Sequence, residues 1–278
     1  MTRVAPSMGA RSTRSAKTSL RPPISSSVLI TISSLTIALI AWELLGRRIN
    51  PIFASYPTAI LTEFGKELAD GSLLEAIFAS LMPLSFGYVI AALIGIPLGL
   101  LIGRYKKAEA ALGFYVIAGY AMPMVALIPL FVLWFGLGLT VKVAIVVAMT
   151  IFPILITTWQ GVRAVPKTMV EVGKAFVASE ATIMRKIIIP ATIPHIMTGL
   201  RLGIGRAIIG IVIAEFFTAI GGLGGLIIRA GQRFDTAAMF VPVLVLMVLG
   251  VALTHLVGWL EGRVAPWNSS VNGGRDES

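Results

Sequence analysis

Charged residues along this chain fall in short clusters separated by long apolar runs. Between Arg21 and Arg47 the only charge is Glu43, and none lies between Glu75 and Arg104, Glu109 and Lys142, or Lys142 and Arg163. Glu215 alone interrupts the run from Arg206 to Arg229, and the run from Asp235 to Glu261 is unbroken. A helix that crosses a bilayer takes about 20 mostly apolar residues. The pattern therefore predicts six spanning helices, near residues 28–46, 82–103, 112–136, 141–160, 198–219 and 238–258. Pro123, Pro129, Gly136 and Gly138 lie inside the third run, where a missing backbone donor predicts a kink.

Composition agrees with this pattern. Hydrophobic residues make up 56% of the chain and charged residues 13%, about half the usual share for a soluble domain. Mean hydropathy is +0.90. The expected fold class is all-α, a polytopic membrane protein with six transmembrane helices. The net charge of +10 then bears on orientation in the bilayer rather than on nucleic-acid binding. The tail 1–27, the segment 104–107, the loop 161–197 and the C-terminal end together hold fifteen Lys and Arg. The alternate loops hold six: Arg47, Arg48, Lys66, Lys142, Arg229 and Arg233. Both termini are accordingly expected to face the cytoplasm. Residues 1–27 are expected to form a disordered basic tail, 28–46 the first span, 74–262 the membrane domain, and 263–278 a polar tail.

Little catalytic chemistry is legible. The absence of cysteine removes thiolate catalysis and Cys-ligated metals, and His195 with His255 does not suggest a metal site. No G-x-x-x-x-G-K-[ST] phosphate loop occurs, and Gly221-Gly222-Leu223-Gly224-Gly225 reads as a flexible extracytoplasmic turn. If the chain moves a solute uphill with ATP, a partner must supply the ATPase. No cofactor is expected on this chain itself.

Small residues form two stripes: Gly87, Ala91, Gly95, Gly99 and Gly103 in the second helix, and Gly199, Gly203 and Ala207 in the fifth. Such spacing lets another backbone approach closely, either within the subunit or at a subunit interface. Arg206 and Glu215, deep in the fifth helix, are candidate gating or pathway residues because intramembrane charges are costly, with a structural hydrogen bond to a neighbouring helix as the equal alternative for Glu215. Nine residues apart, they lie half a turn out of phase and are not expected to pair. Arg201 is expected to snorkel to the interface, and Glu43 and His255 to be satisfied near helix ends.

The loop 161–197 places Met169, Val172, Phe176, Ile183 and Ile187 at helical spacing, with Glu171, Lys174, Arg185 and Lys186 largely off that stripe. This amphipathic stretch suits a membrane surface or a groove on another protein. Its residues Glu171-Val172-Gly173-Lys174-Ala175-Phe176-Val177-Ala178-Ser179, followed by Ile187-Ile188-Ile189-Pro190, resemble the EAA loop of ABC-importer permeases, E-A-A-x-x-x-G-x9-I-x-L-P. Gly173, Val177 and Ile189 depart from that motif. Val177 matters most, since a β-branched residue resists the left-handed backbone that Gly permits, and the turn is expected instead at Ala178-Ser179.

Further pieces resemble the nitrate/sulfonate/taurine/bicarbonate branch of that family: Trp42-Glu43-Leu44-Leu45, Gly95-Ile96-Pro97-Leu98-Gly99, Ile128-Pro129-Leu130, Trp134-Phe135-Gly136 and Thr198-Gly199-Leu200-Arg201. Ala214-Glu215 and Leu260-Glu261-Gly262-Arg263 with Pro266-Trp267 continue the series. The resemblance implies a type I importer. A second permease copy completes the pathway, two cytoplasmic ATPases hold ATP and Mg and bind the EAA loops, and an extracytoplasmic binding protein delivers a small anionic or polar organic solute. Glu171 would then cap the start of a short helix or meet a basic group on the ATPase. An ion-coupled carrier and a non-transporting scaffold subunit are the alternatives, although no internal repeat of the carrier kind is legible.

Overall fold

The computed structural model describes residues 24–218 and 221–266, all of them helix or the short connections between helices. Of the expected tails 1–27 and 263–278, residues 1–23 and 267–278 lie outside the described residues; residues 24–27 belong to the first helix and 263–264 to the last, so those parts are not tail. The chain divides into two units, residues 1–40 and 41–278. In the first, the described part belongs to α1 (Ile24–Gly46), whose apolar side chains from Val28 to Ile40 are exposed and suited to lipid.

The second unit contains the end of α1 and the rest of the chain. A shorter helix α2 (Pro57–Ala69) follows, then the long α3 (Ser72–Arg104) and α4 (Lys106–Ala121). A 3₁₀ turn over Met124–Leu127 leads into the short α5 (Ile128–Phe135). Next come α6 (Leu139–Ala164), α7 (Lys167–Ala175) and α8 (Glu180–Ile183). A π-helical turn at Met184–Ile188 joins α8 to α9 (Ile189–Thr218), and α10 (Gly222–Gln232) and α11 (Thr236–Val264) complete the unit.

Five helical runs among the described residues are long and apolar enough to cross a membrane. A sixth exists if α4 and the segment Met124–Phe135 count as one span, bent by 87°. The kink expected in the third run is thus a full break. Pro123 disfavours helix at the preceding residue, and Met122 is extended at ψ 134. Pro129 sits at the start of α5, where its absent N–H costs nothing. Gly136, at φ 69, ends that helix.

Helix α6 is the centre of the bundle, packed against α3 on one side and α9 on the other. Both small-residue stripes face it. A Cβ on Gly87 would lie 2.6 Å from Cβ of Val146, and one on Gly99 2.6 Å from the Leu155 carbonyl oxygen. At Gly95 the nearest atom is the Ile151 oxygen at 3.2 Å, and Gly103 faces Val162. From the α9 side, Gly199 meets Thr157 and Gly203 meets Ile154, while Ala91 and Ala207 are buried. Lipid tails are as apolar as Leu, so close backbone approach of this kind drives helix association in a bilayer.

The outer elements are fixed by polar contacts. Trp42 Nε1 donates to the Ser55 carbonyl at 3.0 Å. Glu43 accepts from the Thr58 amide at 3.1 Å and pairs with Arg47 at 2.6 Å. Arg201 pairs with the buried Glu261 on α11 rather than reaching free to the interface.

Candidate functional site

The loop between α6 and α9 begins where Pro166 forces Val165 out of helical geometry, at ψ 124, and so ends α6. Its short α7 stops in a two-bond reverse turn. The Val177 amide donates to the Lys174 oxygen at 2.8 Å, and the Ala178 amide donates to the Gly173 oxygen at 3.0 Å. The turn falls at Val177 itself, at φ +55, not at Ala178-Ser179. Two factors explain why the sequence expectation fails. The turn satisfies two orphan carbonyls of α7, and Ser179 is already committed as the cap of α8, its Oγ accepting from the Thr182 amide at 3.2 Å. Val177 is 90% exposed, so the penalty is confined to its own backbone, about 1–2 kcal/mol. Part of that is offset in a Gly variant by chain entropy. Val177→Gly is therefore expected to slow amide exchange at residues 177 and 178 about threefold. Unchanged or faster exchange would show that the left-handed backbone carries no strain.

The apolar stripe read from the sequence splits at this turn. Ile183 and Ile188 pack with Val162, with Val170, Ala178, Met184 and Ile187 around them, and this cluster anchors the loop to α6. Gly173 is buried against Ile187, where a Cβ would come within 2.9 Å of its Cδ1. Met169, Val172, Phe176 and Val177 face outward, with Phe176 83% exposed. The reversal of chain direction at Val177 breaks the helical period, so one stripe becomes an anchor and an outward patch. Glu171, Lys174 and Ala175 are also exposed. Glu171 is the middle residue of α7, so it does not cap the start of that helix as expected. Pro190 lies in the first turn of α9, directly after the π turn, where the Ile189 amide reaches back to the Met184 oxygen.

Higher in the bundle, Glu215 is fully buried and collects partners from three other helices. Ser80 of α3 donates its hydroxyl to Oε1 at 2.7 Å, and the Gly224 amide of α10 donates to Oε2 at 2.8 Å. Lys142 Nζ of α6 lies 3.7 Å from Oε1. The Ser80 hydroxyl in turn accepts from the Leu223 amide at 2.8 Å. Two expectations are corrected here. Lys142 is not a loop charge but sits in the first turn of α6, 5% exposed, so the count for its side of the membrane falls to five. The glycine run is not a flexible turn either: Gly222 to Gly225 open α10 and are buried. A Cβ on Gly222 would collide with the Glu215 carboxylate, so the close approach requires glycine.

Arg206 faces elsewhere, as its half-turn offset from Glu215 requires. It lines a cavity of about 210 Å³ at the break between α4 and α5. Tyr120, Met122, Met124, Met149 and Phe152 supply much of the remaining wall, and Arg206 is its single charged residue. Backbone that leaves helical geometry at membrane depth is tolerated where it is buried in protein or lines a cavity.

The family model described as "Binding-protein-dependent transport system inner membrane component" matches residues 95–266. The chain is 30% identical over 230 residues to the formylaminopyrimidine transport permease protein of Halalkalibacterium halodurans, covering 82% of this chain and 92% of the relative. It is 28% identical to a putative aliphatic sulfonates transport permease of Bacillus subtilis, covering 84% and 85%, respectively. The taurine transport system permease of Escherichia coli is also 28% identical, covering 90% and 94%. The chain belongs to the binding-protein-dependent permease family. Its fold is similar to that of an inward-facing MetNI methionine ABC transporter, with a TM-score of 0.60, 17% identity, and coverage of 69% of this chain and 95% of that one.

Within this permease the family match covers α6, α9, the loop at α7 and, of the Glu215 cluster, Lys142, Glu215 and Gly224, while most of α3, with Ser80, precedes it. Lys142 and Ser80 are the members of that cluster that the sequence pattern did not single out. A lysine between two uncharged runs reads as a boundary, and a serine in a spanning helix reads as filler. The depth of Glu215 was the only signal that such partners had to exist.

Proposed function

We propose that this permease subunit of an ABC importer forms the membrane pathway for a small organic solute that is anionic or polar. The observation that carries the reading is the Arg206 cavity at the break in the span. A lone cation there offers an oxyanion a partner, while methionine and aromatic walls accommodate an apolar body of varied shape. The relatives named for sulfonates, taurine and a formylaminopyrimidine are compatible with such a class. In this reading two permease copies form the pathway, and two cytoplasmic ATPases with ATP and Mg seat on the outward patch of α7. An extracytoplasmic binding protein supplies the solute, and this chain performs no hydrolysis itself.

Coupling has a physical route. Glu180–Thr218 is a continuous helical run of 39 residues. It begins beside the outward patch, is anchored at Ile183 and Ile188, and carries Arg206 and Glu215 farther along. Closure of an ATPase dimer would move such a run as a rigid body and shift the bundle between inward and outward access.

The reading puts the loop and both termini in the cytoplasm of a multi-pass inner-membrane protein. Reporter fusions after Val165 and Ser278 are expected to read as cytoplasmic, and one after Gly71 as extracytoplasmic; the opposite pattern would overturn the orientation. For the pathway, Arg206→Gln is expected to lower uptake of an anionic solute about tenfold while leaving ATPase recovery unchanged. Equal uptake by variant and wild type would remove Arg206 from the pathway.

A further inference from the structure

A second polar concavity lies beside the coupling loop and is not accounted for by transport. It is a cleft of about 490 Å³ framed by the ends of three long helices and by α7. Arg104 ends α3, Lys106 begins α4 and Arg163 lies in the last turn of α6. Lys167 and Lys174 of α7 close the other side, and Glu109 and Glu171 are the only acids in the wall.

The charges do not balance. Glu180, from outside the wall, pairs with Arg104 at 2.6 Å, and Glu109 pairs with Arg163 at 3.0 Å. Among the described residues, Lys106, Lys167 and Lys174 make no salt bridge. Arg104 Nε is buried without a hydrogen-bond acceptor, an uncommon state for a guanidinium donor. Lys106, Lys167 and Lys174 therefore line the cleft without a salt-bridge partner, Glu171 is the acid there that is not ion-paired, and the Arg104 guanidinium, paired with Glu180, keeps one buried N–H without an acceptor.

From this geometry we infer that the cleft binds a phosphate oxyanion, and that the phosphate belongs to the headgroup of an anionic phospholipid. Position selects the lipid. The cleft lies at the ends of α3 and α6, both long and apolar enough to span a membrane, and basic residues flanking such ends favour anionic headgroups. Arg104 and Lys106 also line a neighbouring open groove of about 570 Å³, whose wall includes Leu101 and Tyr105. Both are exposed, offering an acyl chain a surface that leads directly to the cations. A phosphate held there bridges α7 to α3, α4 and α6. It stiffens the element that carries the outward patch.

The test uses the full-length permease in detergent, with phosphatidylglycerol and phosphatidylcholine supplied in equal amounts and retained lipid counted by native mass spectrometry. Phosphatidylglycerol is expected to be retained preferentially. Changing Lys106, Lys167 and Lys174 together to Gln should lower its retention about tenfold. The control change of Arg229 and Arg233 to Gln, at the far end of the bundle, should leave retention unaltered. Displacement of the lipid by millimolar inorganic phosphate would keep the oxyanion site and overturn the lipid as its source. Wild-type lipid retention by the triple variant would overturn the site itself. Wild-type retention accompanied by loss of ATPase recovery would overturn it as well, and would make the cleft a protein contact.

Discussion

Glu215→Leu and Lys142→Met, made separately, are each expected to lower the apparent Tm of the permease by about 10 °C, and the double variant to recover at least half of that loss. Glu215 has no exposed surface and Lys142 is 5% exposed, so neither charge can turn to water. Removing one partner of a buried pair typically costs about 3–5 kcal/mol, whereas replacing both by apolar groups of similar size is often neutral. Loss of the carboxylate also strands the Ser80 hydroxyl and the Gly224 amide that now donate to it. These donors come from different helices, so the damage spreads from α9 to α3 and α10. The readout is thermal denaturation followed by size-exclusion chromatography. Additive losses in the double variant would show that the two residues are not coupled and that the pair is incidental.

The second large effect lies at the loop. Phe176→Asp is expected to reduce ATPase co-purification about hundredfold while membrane insertion is unchanged. Phe176 is 83% exposed and Val177 90%, beside Met169 and Val172. Large aromatic side chains at the centre of an interface commonly account for about 2–4 kcal/mol of binding, and each 1.4 kcal/mol is tenfold. A buried aspartate adds its desolvation cost. The inward residues provide the control: Ile183→Ala removes core packing against Val162 and should lower stability first, with ATPase recovery falling only in proportion. Full ATPase recovery by Phe176→Asp would mean that the patch faces lipid or solvent in the assembly.

The spans were legible because hydrocarbon thickness imposes a long apolar run between charges, and that requirement leaves a direct mark on sequence. The loop was legible through its motif and its mixed amphipathic pattern. The break at Met122-Pro123 could be read only as a kink. Its 87° angle depends on the 3₁₀ turn that follows, and no single residue encodes that turn. Lys142 was misread for a general reason: a charge at the edge of an apolar run normally marks the membrane boundary. Its burial beside Glu215 is a long-range fact that periodicity cannot carry. At Val177 the conformational rule had the right sign, but two backbone hydrogen bonds and the cap at Ser179 outweighed it. Gly222 shows the opposite situation: a residue type that suggests freedom is required because a buried carboxylate lies where a Cβ would stand.

ATP-dependent accumulation of solute by the reconstituted assembly is the most direct measure of the account. Liposomes would contain this permease with the ATPase and binding protein proposed as its partners, first with wild-type chain and then with Phe176→Asp. The account predicts accumulation that requires both ATP and binding protein and that is lost in the variant while its insertion persists. Accumulation driven by an ion gradient without the ATPase, or undiminished accumulation by Phe176→Asp, would contradict it.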